Sequence, residues 1–133
     1  MFSKQLLTGS LALAMIAVPA DAQRRGWRNV SSTTVQLGVT SETLRVRNAD
    51  WLRQLRLCVD RRAVAIRDVT VNFSRGAAHR VSVRRVIRPG ECSLSAPIRI
   101  PTFRGRNAEV RSVRVELTRL VGGVRPVISL QGR

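Results

Sequence analysis

The sequence contains no tyrosine, one histidine, two cysteines and a single lysine, and aromatic residues make up only 4% of it. With one His and two Cys, the usual zinc ligand sets cannot be assembled from this chain without carboxylates. A Ser-His-Asp triad would depend on His79, which stands in no catalytic motif, and no G-x-x-x-x-G-K phosphate loop occurs. Few aromatics also disfavour single-stranded nucleic acid as a partner, because such proteins stack bases on aromatic rings. The sequence therefore predicts no catalytic residues, no metal and no cofactor.

What the chain has in excess is arginine. Arginine accounts for 23 of the 24 basic residues, and the net charge is +16 over 133 residues. The hydrophobic content of 44% is sufficient for a packed core, and the length suits one domain. A strongly basic chain of this kind is suited to anionic partners.

Residues 1–22 have the organisation of a cleaved export signal. Lys4 precedes a mostly apolar run from Leu6 to Ala20, and Ala20-Asp21-Ala22 offers small residues for a signal peptidase. A membrane anchor is the alternative, but the run is about 15 residues long and a spanning helix needs about 20. We expect a mature chain of residues 23–133 without a transmembrane segment, in the periplasm or secreted.

Export changes the interpretation of Cys58 and Cys92. A pair of cysteines in an exported domain usually forms a disulfide, and the alternative is two buried thiols. Cys58 has the same parity as Arg56. A bridge would therefore lie on the solvent side of a strand instead of crossing the core.

The mature chain alternates apolar and polar residues with a period of two, which is typical of antiparallel strands with one solvated face. Examples are residues 55–59, 69–73, 94–100 and 113–117. The pattern predicts an all-β, single-domain antiparallel β-sandwich or jelly-roll-like fold of about eight strands, preceded by a loose segment over residues 23–29.

Three local signals refine this prediction. The apolar parity changes between Ile66 and Val69, which indicates a bulge near Arg67-Asp68. Pro89-Gly90 fits a type II turn, and Gly122-Gly123 fits a two-residue hairpin turn.

Several segments have a familiar order and spacing: LGV (37–39), LRQLRLCV (52–59), VAIRDVTVNF (64–73), RVSVRRVIRPGE (80–91), PIRI (97–100), VRSVRVEL (110–117) and ISLQGR (128–133). Together they resemble small exported proteobacterial β-sandwich proteins classed as a domain of unknown function. The resemblance implies an exported β-sandwich and supplies no catalytic residues. Cys58 and Cys92 are not part of it, so their pairing depends on the export argument.

Many arginines occupy the polar positions of the predicted strands and could form an anion-binding surface with bidentate guanidinium contacts. These are Arg45, Arg47, Arg56, Arg80, Arg84, Arg99 and Arg114. Others fall in predicted turns: Arg61, Arg62, Arg75, Arg88, Arg104 and Arg106. The alternative is a generally solvated basic surface that prevents strand edges from aggregating.

These observations predict a non-enzymatic envelope protein. Its expected partners are anionic lipid, phosphorylated glycolipid, acidic polysaccharide or an acidic protein, bound through the arginine-rich strand faces. The first alternative is an accessory subunit that pairs through a sheet edge with another envelope protein. The second is an enzyme that uses a pair of the scattered carboxylates.

Overall fold

The computed structural model describes residues 26–133, which form ten β-strands and no helix. The expected export signal, residues 1–22, lies outside the described residues. The strands are β1 (Arg28–Thr34), β2 (Ser41–Arg45), β3 (Gln54–Asp60), β4 (Val64–Phe73), β5 (His79–Ile87), β6 (Ala96–Pro97), β7 (Thr102–Phe103), β8 (Arg106–Asn107), β9 (Val110–Leu117) and β10 (Val127–Gly132). Within residues 26–133 no helix is long and apolar enough to cross a membrane.

The strands form two four-stranded antiparallel sheets and a small hairpin. Sheet 1 has the order β1-β10-β3-β6, sheet 2 has the order β2-β9-β4-β5, and β7 pairs with β8. The inward residues alternate along each strand, as at Leu55, Leu57 and Val59 of β3, and they merge into one buried cluster with those of sheet 2. The predicted all-β antiparallel sandwich is therefore confirmed.

The strand boundaries differ from the prediction in two places. The alternation over 94–100 predicted a long strand, but only Ala96–Pro97 pairs with β3, because prolines at 97 and 101 remove ladder donors. The segment expected to be a loose lead-in ends in β1, a polar edge strand paired with β10. Three two-residue strands bring the total to ten instead of about eight.

Two of the three local signals are confirmed. The registers of β4 with both neighbours shift between Ile66 and Asp68, which is the predicted bulge. Gly90 has φ of 83°, and the N–H of Glu91 donates to the Arg88 carbonyl at 3.0 Å, as a type II turn requires. Gly122 and Gly123 do form a left-handed turn, but it joins β9 of sheet 2 to β10 of sheet 1, so the hairpin prediction is wrong.

Cys58 and Cys92 are joined by a disulfide, with Cα atoms 3.9 Å apart. Cys58 lies between buried Leu57 and Val59, so its side chain is on the outward face of sheet 1. The bridge fastens the segment after β5 to the middle of β3, and it does not cross the core.

Antiparallel pairing places the connections at two opposite ends of the sandwich. At one end, named here the groove end, lie residues 46–53, 74–78 and 98–109. At the other, named the apolar end, lie residues 35–40, 61–63, 88–91 and 118–126. Hydrogen bonds join the loops within each end: Ser74 N–H donates to the Glu109 carbonyl, and Gly38 N–H to the Leu120 carbonyl.

Candidate anion-binding site

Most arginine side chains in the described part of the chain have no carboxylate partner. Residues 26–133 include 21 arginines, and of these only Arg80 forms salt bridges, at 2.6 Å to Asp68 and 3.6 Å to Glu116. The hydrogen bond from Arg80 lowers the pKa of Asp68, and the charges of Arg80 and Arg84 act in the same direction against its partial desolvation. The charge of Arg80 is therefore already balanced by the carboxylates of Asp68 and Glu116.

The seven arginines that the sequence singled out do not share one face. Four of them lie on or beside the outward face of sheet 2: Arg45 in β2, Arg114 in β9, and Arg80 and Arg84 in β5. Arg114 and Arg80 are in one cross-strand row and are separated there by Thr70. The other three are elsewhere: Arg56 on sheet 1, Arg47 in the loop after β2, and Arg99 after β6.

A groove of about 700 Å³ at the groove end is lined by Arg45, Arg47 and Arg111. All three side chains are exposed, and none of them forms a side-chain hydrogen bond or a salt bridge within residues 26–133. Asn48 adopts φ of 51°, a left-handed conformation that asparagine tolerates better than most residues. This turn places Arg47 on the rim of the groove after Arg45 has ended β2.

Arg111 reaches the groove because of a bulge. Asn72 of β4 pairs with Ser112 and the next residue, Phe73, pairs with Val110, so Arg111 is an extra residue in β9. A bulge redirects the side chain of the extra residue, and Arg111 is exposed although its parity is that of the buried Val113. Strict alternation therefore overlooks Arg111. The signal that would have found it is the change of apolar parity between Val110 and Val113.

A second groove, of about 550 Å³, adjoins the first and is lined by Arg75, Arg104 and Arg106. Arg104 and Arg106 are on the β7–β8 hairpin, whose turn residues Arg104 and Gly105 have φ of 53° and 77°. Both residues thus have the left-handed conformation that tight hairpin turns require. The sequence placed these arginines in turns and attached no binding role to them.

Phe103 is the aromatic component of this second groove. Its side chain is 52% exposed, and the guanidinium carbons of Arg75 and Arg104 lie 5.4 Å and 5.7 Å from the ring centroid. Cation–π contact at this distance orders both arginines and leaves their N–H groups available. The hairpin is closed at its base by the N–H of Ala108, which donates to the Pro101 carbonyl at 2.8 Å.

Glu109 lines both grooves and marks where they meet. Its backbone is held to Ser74 by two hydrogen bonds, N–H to Ser74 Oγ at 3.1 Å and carbonyl to Ser74 N–H at 2.8 Å. Asp50 is the other acid in the lining. Six guanidinium groups against two carboxylates make this end a positively charged track that can donate bidentate hydrogen bonds to phosphate or carboxylate.

Arg56, by contrast, is used within the protein. Its guanidinium carbon lies 4.4 Å from the Trp27 ring centroid, and that of Arg133 lies 4.5 Å away. Arg56 Nε also donates to Gln131 Oε1 at 2.9 Å, and Arg133 Nε donates to Gln54 Oε1 at 2.8 Å. These contacts hold Trp27, which the sequence assigned to a loose terminus, against the outward face of sheet 1.

The remaining predicted candidate, Arg99, is separate from both grooves, and its backbone N–H donates to His79 Nδ1 at 3.1 Å. Among residues 26–133 no three His, Cys, Asp or Glu side chains come together as a metal-binding group.

Comparison with known proteins places the chain in a family. Residues 7–117 match the family model described as a domain of unknown function, DUF2541. The chain belongs to the DUF2541 family. The range that matches DUF2541 contains β1 to β9 and all six groove arginines, whereas residues 118–133 lie beyond it. No curated protein matches the chain.

One solved structure is similar to the chain: AlgX of Pseudomonas aeruginosa, with 13% sequence identity and a TM-score of 0.49. The similarity covers 80% of this chain and 26% of that one, so the DUF2541 chain spans about a quarter of AlgX.

Proposed function

We propose that this chain is a non-enzymatic binding module that holds an extended polyanion in the two grooves of the groove end. The observation that carries the proposal is the unpaired charge there: six arginines line the grooves, and none of them forms a salt bridge within residues 26–133. Counter-charge for them would come from a ligand. Phosphate and carboxylate groups are the anions whose geometry matches a guanidinium.

The open shape of the grooves favours a polymer over a single small anion. Each contact between an exposed arginine and an anion is weak by itself, because water and salt screen it. Contacts along two adjoining grooves add through multivalency when the anionic groups are linked. The exposed Phe103 ring adds an apolar surface beside the charges, on which a sugar or lipid segment between anionic groups can pack.

The proposal includes an envelope location, periplasmic or secreted. The Cys58–Cys92 disulfide supports it, since disulfides persist in oxidising compartments. The signal-like segment at residues 1–22 supports it as well. In a bacterial envelope the available polyanions are phosphorylated glycolipid, anionic phospholipid and acidic polysaccharide.

Binding to two soluble probes tests the proposal: inorganic polyphosphate for phosphate, and polygalacturonate for carboxylate, with neutral dextran as the blank. We expect Arg47→Gln/Arg111→Gln to weaken binding about tenfold at low salt, and the parent affinity to fall steeply as salt rises. The matched control is Arg119→Gln/Arg125→Gln, which removes the same charge from exposed arginines at the opposite end.

Equal losses in the two double variants would show attraction to net charge alone and would reject the groove as the site. Binding of neither probe by the parent at low salt would reject the function itself. Circular dichroism of each variant verifies that the fold is retained.

The second candidate function is pairing through the β5 edge. β5 has a strand neighbour on one side only, and Leu94, 77% exposed, lies in the segment beside it together with the exposed Val86. Arg84 has φ of 42° and interrupts the edge, and arginines at 80, 84 and 85 repel basic strands. A partner strand would therefore be acidic, and its binding would be lost in Val86→Asp while the groove variants bind it normally.

A further inference from the structure

The apolar end presents a cluster of exposed aliphatic side chains that do not pack into the hydrophobic core. Val121 is 82% exposed, Val124 60% and Leu37 41%. The hydrogen bond from Gly38 N–H to the Leu120 carbonyl, 2.9 Å, places the loop of Leu37 directly beside the loop of the two valines. Exposed apolar residues gathered at one end of a small domain mark an interaction surface, whereas scattered ones do not.

Arginines surround this cluster. The turn has the sequence Arg119-Leu-Val-Gly-Gly-Val-Arg125, so an apolar tip is bracketed by two exposed cations, and Arg61 adds a third from the neighbouring turn. Within residues 26–133 none of these three side chains forms a salt bridge. Two nearby acids already accept backbone N–H groups: Asp60 Oδ1 from Arg61 at 2.8 Å, and Glu42 Oε1 from Gln36 at 2.8 Å. Glu91 lies in the turn after β5, and Glu116, near the end of β9, is 3.6 Å from Arg80.

Two backbone carbonyl groups of the tip already accept hydrogen bonds from within the protein, which lowers the cost of removing them from water. Arg62 Nη1 donates to the carbonyl oxygen of Gly122 and, at 3.5 Å, to that of Val124. Gly122 and Gly123 make the turn with φ of 67° and 82°, a conformation that side chains with a Cβ rarely adopt. A turn whose carbonyls are satisfied internally loses less on entering an apolar medium than one whose carbonyls depend on water.

We propose that the apolar end docks on the surface of an anionic phospholipid bilayer, with Val121, Val124 and Leu37 entering the interface. The flanking arginines Arg61, Arg119 and Arg125 contact lipid phosphates there, because long basic side chains extend from an apolar surface to the headgroup level. Charge complementarity identifies the occupant. The apolar tip matches the apolar interior of a bilayer, and its cationic border is opposite in charge to the anionic headgroups. This surface is separate from the grooves, so the inference does not depend on the proposed function.

Flotation with vesicles tests the proposal, using phosphatidylcholine with and without phosphatidylglycerol. We expect the parent to float only with the anionic vesicles, and Val121→Ser/Val124→Ser to reduce partitioning about tenfold, because two aliphatic side chains no longer leave water. The matched control is Val86→Ser/Leu94→Ser, which removes exposed aliphatic surface at the β5 edge and should partition as the parent does.

The contribution of charge is tested with the two arginine double variants of the polyanion experiment. Here the variant of the apolar end is the test and the groove variant is the control. Arg119→Gln/Arg125→Gln should lower partitioning about tenfold at low salt, whereas Arg47→Gln/Arg111→Gln should change it much less. Val121→Trp should give blue-shifted tryptophan emission with anionic vesicles, and Leu94→Trp should not.

Three results would overturn the proposal: parent protein that fails to float with anionic vesicles, valine variants that partition as the parent does, or a larger loss from the groove arginines than from Arg119 and Arg125. All three concern vesicles alone, whereas the proposed function is tested by binding of the parent to polyphosphate and polygalacturonate in solution, so the two failures are distinguishable.

Discussion

At the residue scale, the end of β10 has no room for a side chain at position 132. A Cβ placed on Gly132 would lie 1.9 Å from Leu52 Cδ1, and Leu52 is fully buried. We expect Gly132→Ala to lower the free energy of unfolding by about 1–3 kcal/mol, because the added methyl forces Leu52 out of its packing. Thermal and urea unfolding, monitored by circular dichroism, measure the loss.

The double variant Leu52→Ala/Gly132→Ala is the control for this prediction. Leu52→Ala alone leaves a cavity, and the methyl group that Gly132→Ala adds occupies part of that cavity, so the two losses should sum to more than the loss in the double variant. Additive losses would contradict the packing explanation.

At the element scale, the disulfide fixes a segment that has little regular structure. Residues 88–95 are joined to β3 by the Cys58–Cys92 bridge, by the N–H of Val59 to the Glu91 carbonyl at 3.0 Å, and by the N–H of Ser93 to the Leu57 carbonyl at 2.7 Å. The cysteines are 34 positions apart, so the cross-link restricts a long loop of the unfolded chain.

We expect Cys58→Ala/Cys92→Ala to lose about 2–4 kcal/mol of stability and several degrees of Tm. Because both cysteines lie outside the core, the substitution removes the cross-link without opening a core cavity. Reduction of the parent protein should give a similar loss and have no effect on the double variant. Two titratable thiols in unreduced, denatured parent would contradict the bridge.

How far the elements follow from the sequence depends on their surroundings. Strands in the middle of a sheet, such as β3 and β9, bury one face, so alternation reveals them. The edge strand β1, with the sequence RNVSSTT, buries little and has no alternation to detect. Residues 94–100 alternate without forming a long strand, because prolines at 97 and 101 remove ladder donors, and Leu94 of the apolar set remains exposed to solvent.

At the scale of the whole molecule, alternation assigns a residue to one side of a strand but cannot assign it to an end of the sandwich. The groove end collects Arg47, Arg75 and Arg104 from three separate connections and Arg111 from the bulge in β9. Their proximity depends on strand order, which is determined by long-range pairing. Of the arginines that the sequence favoured, Arg45 and Arg47 line the first groove, whereas Arg80 is balanced by two acids on its own sheet face.

The two proposed surfaces lie at opposite ends of the molecule, which gives a prediction about orientation. If the apolar end is docked on a bilayer, the strands extend away from the membrane and the six groove arginines face the solution. Parent protein on phosphatidylglycerol vesicles should therefore still capture fluorescent polyphosphate and carry it to the top of a flotation gradient at low salt. Because the polymer is itself repelled by anionic lipid, its flotation without protein should be negligible.

The double variants separate the two ends in this one assay. Arg47→Gln/Arg111→Gln should float without polymer, whereas Val121→Ser/Val124→Ser should leave both protein and polymer at the bottom while still binding polymer in solution. Competition between vesicles and polymer for the parent protein would contradict the two-ended arrangement, since one surface would then serve both ligands. Simultaneous binding would mean that a molecule this small can connect an anionic membrane to a second polyanion, because exposed arginines line the groove end and also border the apolar end.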